Sequence, residues 1–302
     1  MNLAPHHLEA GRRFAANKPA VASAVMLGAL LLVTLLWPWI APYAPEAMSD
    51  AQFGAPDARH WFGTDLFGRD LLTRVFYGAR LSLLVGAVGA GVSLVIGVLW
   101  GAVAGYLGGR WDGLMMRFVD VLYSLPSIVF VIVLITTLEQ FFRAWLAKVF
   151  SPDVAAAGRL IFLFVGLGAV SWLTMARIVR GQVIALRHQA FIEACHALGL
   201  GHGRILLRHI LPNTSGVIIV YLMLTVPTVI LYESFLSYLG LGIQPPQASL
   251  GTLIADGAGQ INPIRTYWWL LVCPGGVLAV TLLALNFLGD GLRDALDPKA
   301  GR

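Results

Sequence analysis

Few residues in this sequence could do chemistry, and their spacing rules most of it out. The three lysines, Lys18, Lys148 and Lys299, follow Asn17, Ala147 and Pro298, so the G-K-[ST] step of a phosphate-cradling loop is absent. Hydrolysis of ATP by this chain is not expected. His188, His196, His202 and His209 crowd one polar segment, but no H-E-x-x-H pattern occurs and no cysteine stands at metal spacing from a histidine. They read as solvated or headgroup-facing. With no G-x-S-x-G either, a serine hydrolase has no local support. Catalytic, cofactor-binding and metal residues are all expected to be absent. What remains is isolated charge beside apolar runs: Asp120, three residues after Arg117, and Glu233, followed by Ser234. Charge inside a membrane segment is a functional hypothesis by default. For Asp120 an i,i+3 pair with Arg117 is the simpler expectation.

The elements that must position these residues are set by composition. The chain has 302 residues, 58% of them hydrophobic and 12% charged, with a mean hydropathy of +0.76. It has too little polar surface for a water-soluble globule and reads as an all-α integral membrane protein. Apolar runs at 20–41, 79–105, 118–138, 160–180, 213–235 and 267–288 approach or exceed the roughly 20 residues a spanning helix needs. The first follows a long polar leader (1–19) and ends in Trp37, Pro38 and Trp39, so it reads as an uncleaved span. With both termini cytosolic, 13 of the 21 basic residues, Lys299 and Arg302 among them, fall inside; the other eight share their outer segments with acids such as Asp153. The net charge of +5 sets topology and does not mark a nucleic-acid footprint. Cys195 and Cys273 fall on opposite sides of a span, so no disulfide is expected.

Between spans the pattern is richer. In the outer loop (42–78), Thr64 or Asp65 is expected to cap an interfacial helix with Leu71, Leu72, Val75 and Phe76 on its apolar face and Arg69, Asp70 and Arg74 in water. Gly97, Gly101 and Gly105 make a stripe without side chains, suited to close helix packing. Pro126 is expected to kink the third span. The Gly-, Pro- and Gln-rich loop after Glu233 has few means of forming regular structure alone and is expected to fold back on the spans.

The most informative stretch is the coupling loop at 181–212, and within it FIEACHALGLGHGRILLRHILP, from Phe191 to Pro212. Phe191 to Leu198 reads as two turns of amphipathic helix with Phe191, Ile192, Cys195 and Leu198 apolar, closed by Gly199 in the left-handed conformation. Helix resumes from Arg204 to Ile210, and Pro212 suits the first turn of the next.

Glu193 and Ala194, Gly199, and Ile210, Leu211 and Pro212 resemble the E-A-A, G and I-x-L-P elements of the cytoplasmic loop of ABC importer permeases, with Cys195 where the second alanine would stand. FGTDLFGRD (62–70), GARLSLLVG (78–86), SWLTMARIVRGQ (171–182), ESFLSYLGLG (233–242) and NFLGDGLRDALDP (286–298) resemble the C-type permease of oligopeptide and dipeptide transporters. The resemblance implies a type I importer permease fold (MetI-like) in a bacterial cytoplasmic membrane, with five core spans at 79–288 and a cytosolic tail at 289–302. It implies that Phe191, Ile192, Glu193, Ala194, Cys195, Ala197, Leu198, Gly199, Ile210 and Pro212 couple the chain to an ATPase. Glu233, Ser234 and Asp120 are the residues expected to meet a docked carrier, a peptide's amino terminus or the pathway, a hydrogen-bonded structural role for Glu233 being equally expected. Expected partners are a second, homologous permease, two ATP-binding subunits holding ATP and Mg, an extracytoplasmic peptide-binding protein and membrane lipid. Dipeptides, nickel or antimicrobial peptides are alternative cargoes. A membrane-embedded enzyme or free-standing channel is the remote alternative.

Overall fold

The computed structural model describes residues 4–149, 158–262 and 264–296. Asp153 and the tail beyond Leu296, with Lys299 and Arg302, lie outside the described residues. Regular structure among them is helical: α1 (Ala4–Ala16), α2 (Lys18–Ile40), α3 (Leu71–Leu107), α4 (Gly109–Tyr123), α5 (Ser127–Val149), α6 (Gly158–Arg187), α7 (Ala190–Ala197), α8 (His202–Ile205), α9 (Leu211–Tyr238), α10 (Leu250–Gly259) and α11 (Trp269–Leu296). A π-turn at Leu206–Ile210 joins α8 to α9. Among the described residues, six helices are long and apolar enough to cross a membrane: α2, α3, α5, residues 161–187 of α6, the run His202–Tyr238, and α11. Helices serve there because hydrocarbon offers backbone N–H and C=O groups no partner outside the segment.

Two boundaries differ from the sequence expectation, each for a local reason. The helix expected near Asp65 does not begin until Leu71, and it runs without a break into the second span as α3. Asp65 is committed elsewhere: it accepts from the backbone N–H of Phe67 and Arg69, from Arg69 Nε at 2.7 Å and from Arg74 Nη1 at 2.5 Å. Asp70 caps the helix instead, accepting from Thr73 N at 2.9 Å while its other oxygen meets His60 Nδ1. Asp70 and Arg74 are consequently buried and do not face water. Pro126 divides the third apolar run rather than bending it, so the membrane-length helix is α5 and the residues before it form the separate amphipathic helix α4. Pro212 stands in the first turn of α9, as expected. The π-turn just before it keeps one continuous rod from His202 to Tyr238, widening the backbone where the ring would otherwise crowd a carbonyl.

The chain divides into two compact units. One comprises 18–87 and 227–288. In it the loop before α3 is held by Trp269, whose Nε1 donates to Thr64 O, and by Phe53 stacked on Tyr267 at 4.2 Å. Gly68 sits at φ +70 so close to Ser49 that a side chain has no room. Asp57 turns the loop by accepting from His60 N at 2.6 Å and Arg59 N at 2.8 Å, which holds its carboxyl below the usual carboxylate range. The loop after Glu233 was expected to lack regular structure, yet it carries α10, because Ser249 and Thr252 form a reciprocal capping box.

The other unit comprises residues up to 17, 88–226 and 289 onward. Here α4 packs Met116 and Val119 against Trp172, Leu173 and Ala176 of α6. Two ion pairs reinforce the contact, Arg180 with Asp112 in a bidentate fork and Arg177 with Asp120. The glycine stripe faces α6 as well: a Cβ on Gly97 would lie 2.6 Å from Met175 Cβ, one on Gly105 2.8 Å from Arg180 O, and one on Gly101 would strike Ala176 O. Backbone-to-backbone approach of this kind needs glycine. Gly101→Leu is therefore expected to lower the thermal transition of the detergent-purified chain by the equivalent of about 1–3 kcal/mol. Gly91→Leu, on the same helix with open space around it, should leave it unchanged; equal behaviour of the two would refute the packing role.

Candidate functional site

The polar segment between α6 and α9 holds the best candidate site, and its helix α7 has two unlike faces. Ile192 and Cys195, three residues apart on one side, are buried in a cluster with Ala102, Met175, Val179, Val183, Ile205 and Ile210. Phe191, Ala194 and Leu198, spaced i, i+3, i+7 on an adjoining face, are exposed; Leu198 is 80% accessible. Glu193 in the first turn and Ala197 are exposed too, and the carboxylate suits the helix's amino-terminal dipole.

The helix end is fixed by its backbone. Gly199 has φ +73, Leu200 N donates to Cys195 O at 3.1 Å and Gly199 N to His196 O at 2.9 Å. That pair of bonds with a left-handed residue is the Schellman arrangement, and Leu200 and Cys195 pack in the same apolar cluster, as the motif favours. Nothing lies within 4 Å of where a Gly199 side chain would sit, so the glycine is there for its conformation and not for space.

Beyond it, Ile205 and Ile210 return to the buried cluster while Leu207, 62% accessible, stands out between Arg204 and Arg208. Ile205 and Leu207 escaped the sequence reading. Their signal was the apolar alternation across a π-turn, which follows neither helical nor strand periodicity. Of the coupling residues read from sequence, Ile192, Cys195 and Ile210 form the root of the segment, and Phe191, Glu193, Ala194, Ala197 and Leu198 its free face. Gly199 sets the turn, and Pro212 lies in the rod just past the π-turn.

Glu233, Ser234 and Asp120 are not brought together with that segment. Glu233 is fully buried: Ser237 Oγ donates to its Oε1 at 2.6 Å and Ser82 Oγ to its Oε2 at 3.1 Å. Ser237 Oγ in turn accepts from Ile243 N at 3.2 Å, and Ser82 Oγ from Leu250 N at 3.3 Å, which fixes the start of α10. The carboxylate is enclosed by hydroxyl donors here, the hydrogen-bonded arrangement that was one of its two expected roles. Ser234 is buried with its backbone against Gly251, 2.5 Å from where a Cβ would stand. Asp120 is exposed and pairs with Arg177 at 2.7 Å, not with Arg117; Arg177 also lies 4.0 Å over the Tyr123 ring. Its partner comes from α6 because α4 lies along that helix.

Among the described residues no cluster of three or more His, Cys, Asp or Glu could hold a metal. The arrangement can dock and transmit, since an exposed apolar stripe is rooted in the spans through the face beside it.

The chain is similar to known transport proteins. Residues 97–302 match the family described as binding-protein-dependent transport system inner membrane component, and residues 8–56 match the N-terminal TM domain of oligopeptide transport permease C. The oligopeptide transport system permease protein OppC of Escherichia coli (strain K12) is 48% identical over 96% of this chain and 90% of its own length. The dipeptide transport system permease protein DppC of Bacillus subtilis (strain 168) is 42% identical over 97% of this chain and 86% of its own. A solved chain of the MetNI methionine ABC transporter, inward facing, superposes with a TM-score of 0.55 over 73% of this chain and 94% of that one, at 18% identity.

The two acids predict opposite outcomes. Glu233→Leu strands the hydroxyls of Ser82 and Ser237 in a buried site and is expected to cost about 1–3 kcal/mol. Asp120→Asn loses one exposed pair worth at most about 1 kcal/mol. Thermal unfolding of the two purified variants checks this, and a Glu233→Leu chain as stable as wild type would contradict the buried network.

Proposed function

Because the chain belongs to the family of binding-protein-dependent transport system inner membrane components, we propose that it carries oligopeptides across the bacterial cytoplasmic membrane as one permease of an ATP-driven importer. Members of the family work with other transporter subunits. We assign these as a second, homologous permease, two ATP-binding subunits that hold ATP and Mg, and an extracytoplasmic peptide-binding protein. Both termini are placed in the cytosol, so that α7 faces the ATP-binding subunits.

The observation that carries the reading is the division of α7 between a root and a free stripe. Phe191, Ala194 and Leu198 offer an apolar face to a partner cleft, in the manner of an amphipathic helix laid in a groove. Ile192 and Cys195 join that face to α6 and to the rod that continues as α9. Closure of the ATP-binding pair pulls the stripe, the root moves the spans, and the permease pair alternates between outward and inward openings. The loops before α3 and after Glu233 receive the carrier. Oligopeptide cargo is supported by the 48% identity to a permease named for it. The 42% identity to one named for dipeptides supports the second reading.

Leu198→Asp puts a charge in the stripe without touching the root, and Gly199→Val strains the left-handed turn by about 1–2 kcal/mol. Both variants are expected to insert normally yet lose carrier-stimulated ATP hydrolysis and uptake of labelled tri- to pentapeptides together, measured in reconstituted complex and in a strain lacking other peptide systems. Full stimulated hydrolysis in both variants would contradict the coupling role. Wild-type uptake of dipeptides with no uptake of longer peptides would favour the second reading.

A further inference from the structure

On α7, His196 stands roughly opposite the Phe191, Ala194 and Leu198 stripe, at about 100° per residue. There it borders a cleft of about 410 Å³ that also holds Tyr106, Leu107, Arg187, His188 and His202, with no carboxylate in its lining. Its side chains are fixed by contacts with one another. Tyr106 Oη lies 2.8 Å from His202 Nδ1, and the His196 and His202 rings are 5.5 Å apart. Arg187 Nε donates to His188 Nε2 at 2.9 Å, and its Nη1 donates to the carbonyls of Gly105 and Tyr106 at the end of α3. A guanidinium has five donors, and among the described residues the two on Nη2 have no acceptor within hydrogen-bond distance.

The location narrows the ligand. The cleft lies where α3 ends at Leu107, α6 ends at Arg187 and the next rod begins at His202, at the same end of three membrane-length helices. Leu107, 57% accessible, sets apolar surface directly beside the basic groups. We propose that this cleft binds the headgroup phosphate of an anionic phospholipid from the adjoining leaflet. Arg187 Nη2 and the imidazoles of His196 and His202 meet the phosphate, and Leu107 meets the start of the acyl chains. Basic pockets between spans favour such lipids by charge and by the donor geometry of arginine. A partner seated on the opposite stripe leaves the cleft open to lipid.

The test is native mass spectrometry of the delipidated full chain, titrated with phosphatidylglycerol or phosphatidylcholine of identical acyl chains. Wild type is expected to bind phosphatidylglycerol about fivefold or more tighter. The preference should fall to within about twofold of parity in Arg187→Gln and in the double variant His188→Glu/His196→Glu, which keeps the Arg187 contacts to α3 and guards against misfolding of the first. Equal affinity for the two lipids in wild type, or an undiminished preference in the double variant, would overturn the proposal. So would displacement of the lipid by inorganic phosphate, which would make the ligand a soluble anion, or its release on adding purified ATP-binding subunits, which would make the cleft a protein interface.

Discussion

The burial of Ile192 and Cys195 among Met175, Val179, Val183, Ile205 and Ile210 is the contact on which the proposed coupling depends. Those two buried side chains join an eight-residue helix, too short to be stable in water by itself, to the membrane-spanning rods on either side of it. Close packing resists gradual deformation, so a displacement of the exposed stripe has to be carried into α6 and the rod through Ile205 and Ile210. The Schellman end at Gly199 matters for the same reason. It ties the helix end back to its own carbonyls, and the root and the stripe move as one piece.

Elsewhere the constraint is the cost of polar groups out of water. Glu233 is retained at a fully buried position because hydroxyls of Ser82 and Ser237 donate to both its oxygens, and the same serines fix Leu250 N and Ile243 N. Asp65 serves the loop before α3 likewise, with Arg69 and Arg74 and two backbone N–H groups around it. Both acids hold loops against helices. Removing one partner leaves the other stranded in a site of low polarity, so these networks are stiff.

Much of this was legible in the sequence because lipid imposes simple rules. Six apolar runs named the spans, and the apolar positions Phe191, Ile192, Cys195 and Leu198 ahead of Gly199 named the helix now seen at Ala190–Ala197, within a residue of the expected bounds. What escaped depended on partners distant in sequence or on backbone choices that hydropathy does not record. Asp120 pairs with Arg177, 57 positions away, and its sequence neighbour Arg117 is a plausible but wrong partner. Glu233 reads as a charge at a helix end until Ser82, 151 positions away, is brought against it. Pro126 was expected to bend a span and instead separates two helices, and the π-turn just before Pro212 left no mark in the hydropathy.

The most direct test of the two-faced α7 is photo-crosslinking from single positions in membranes that contain the whole transporter. A photoreactive residue at Leu198, and separately at Phe191, should crosslink to an ATP-binding subunit, and one at His196 on the opposite flank should not. Crosslinks of equal yield from His196, or none from Leu198 and Phe191, would show that the exposed stripe is not the docking face.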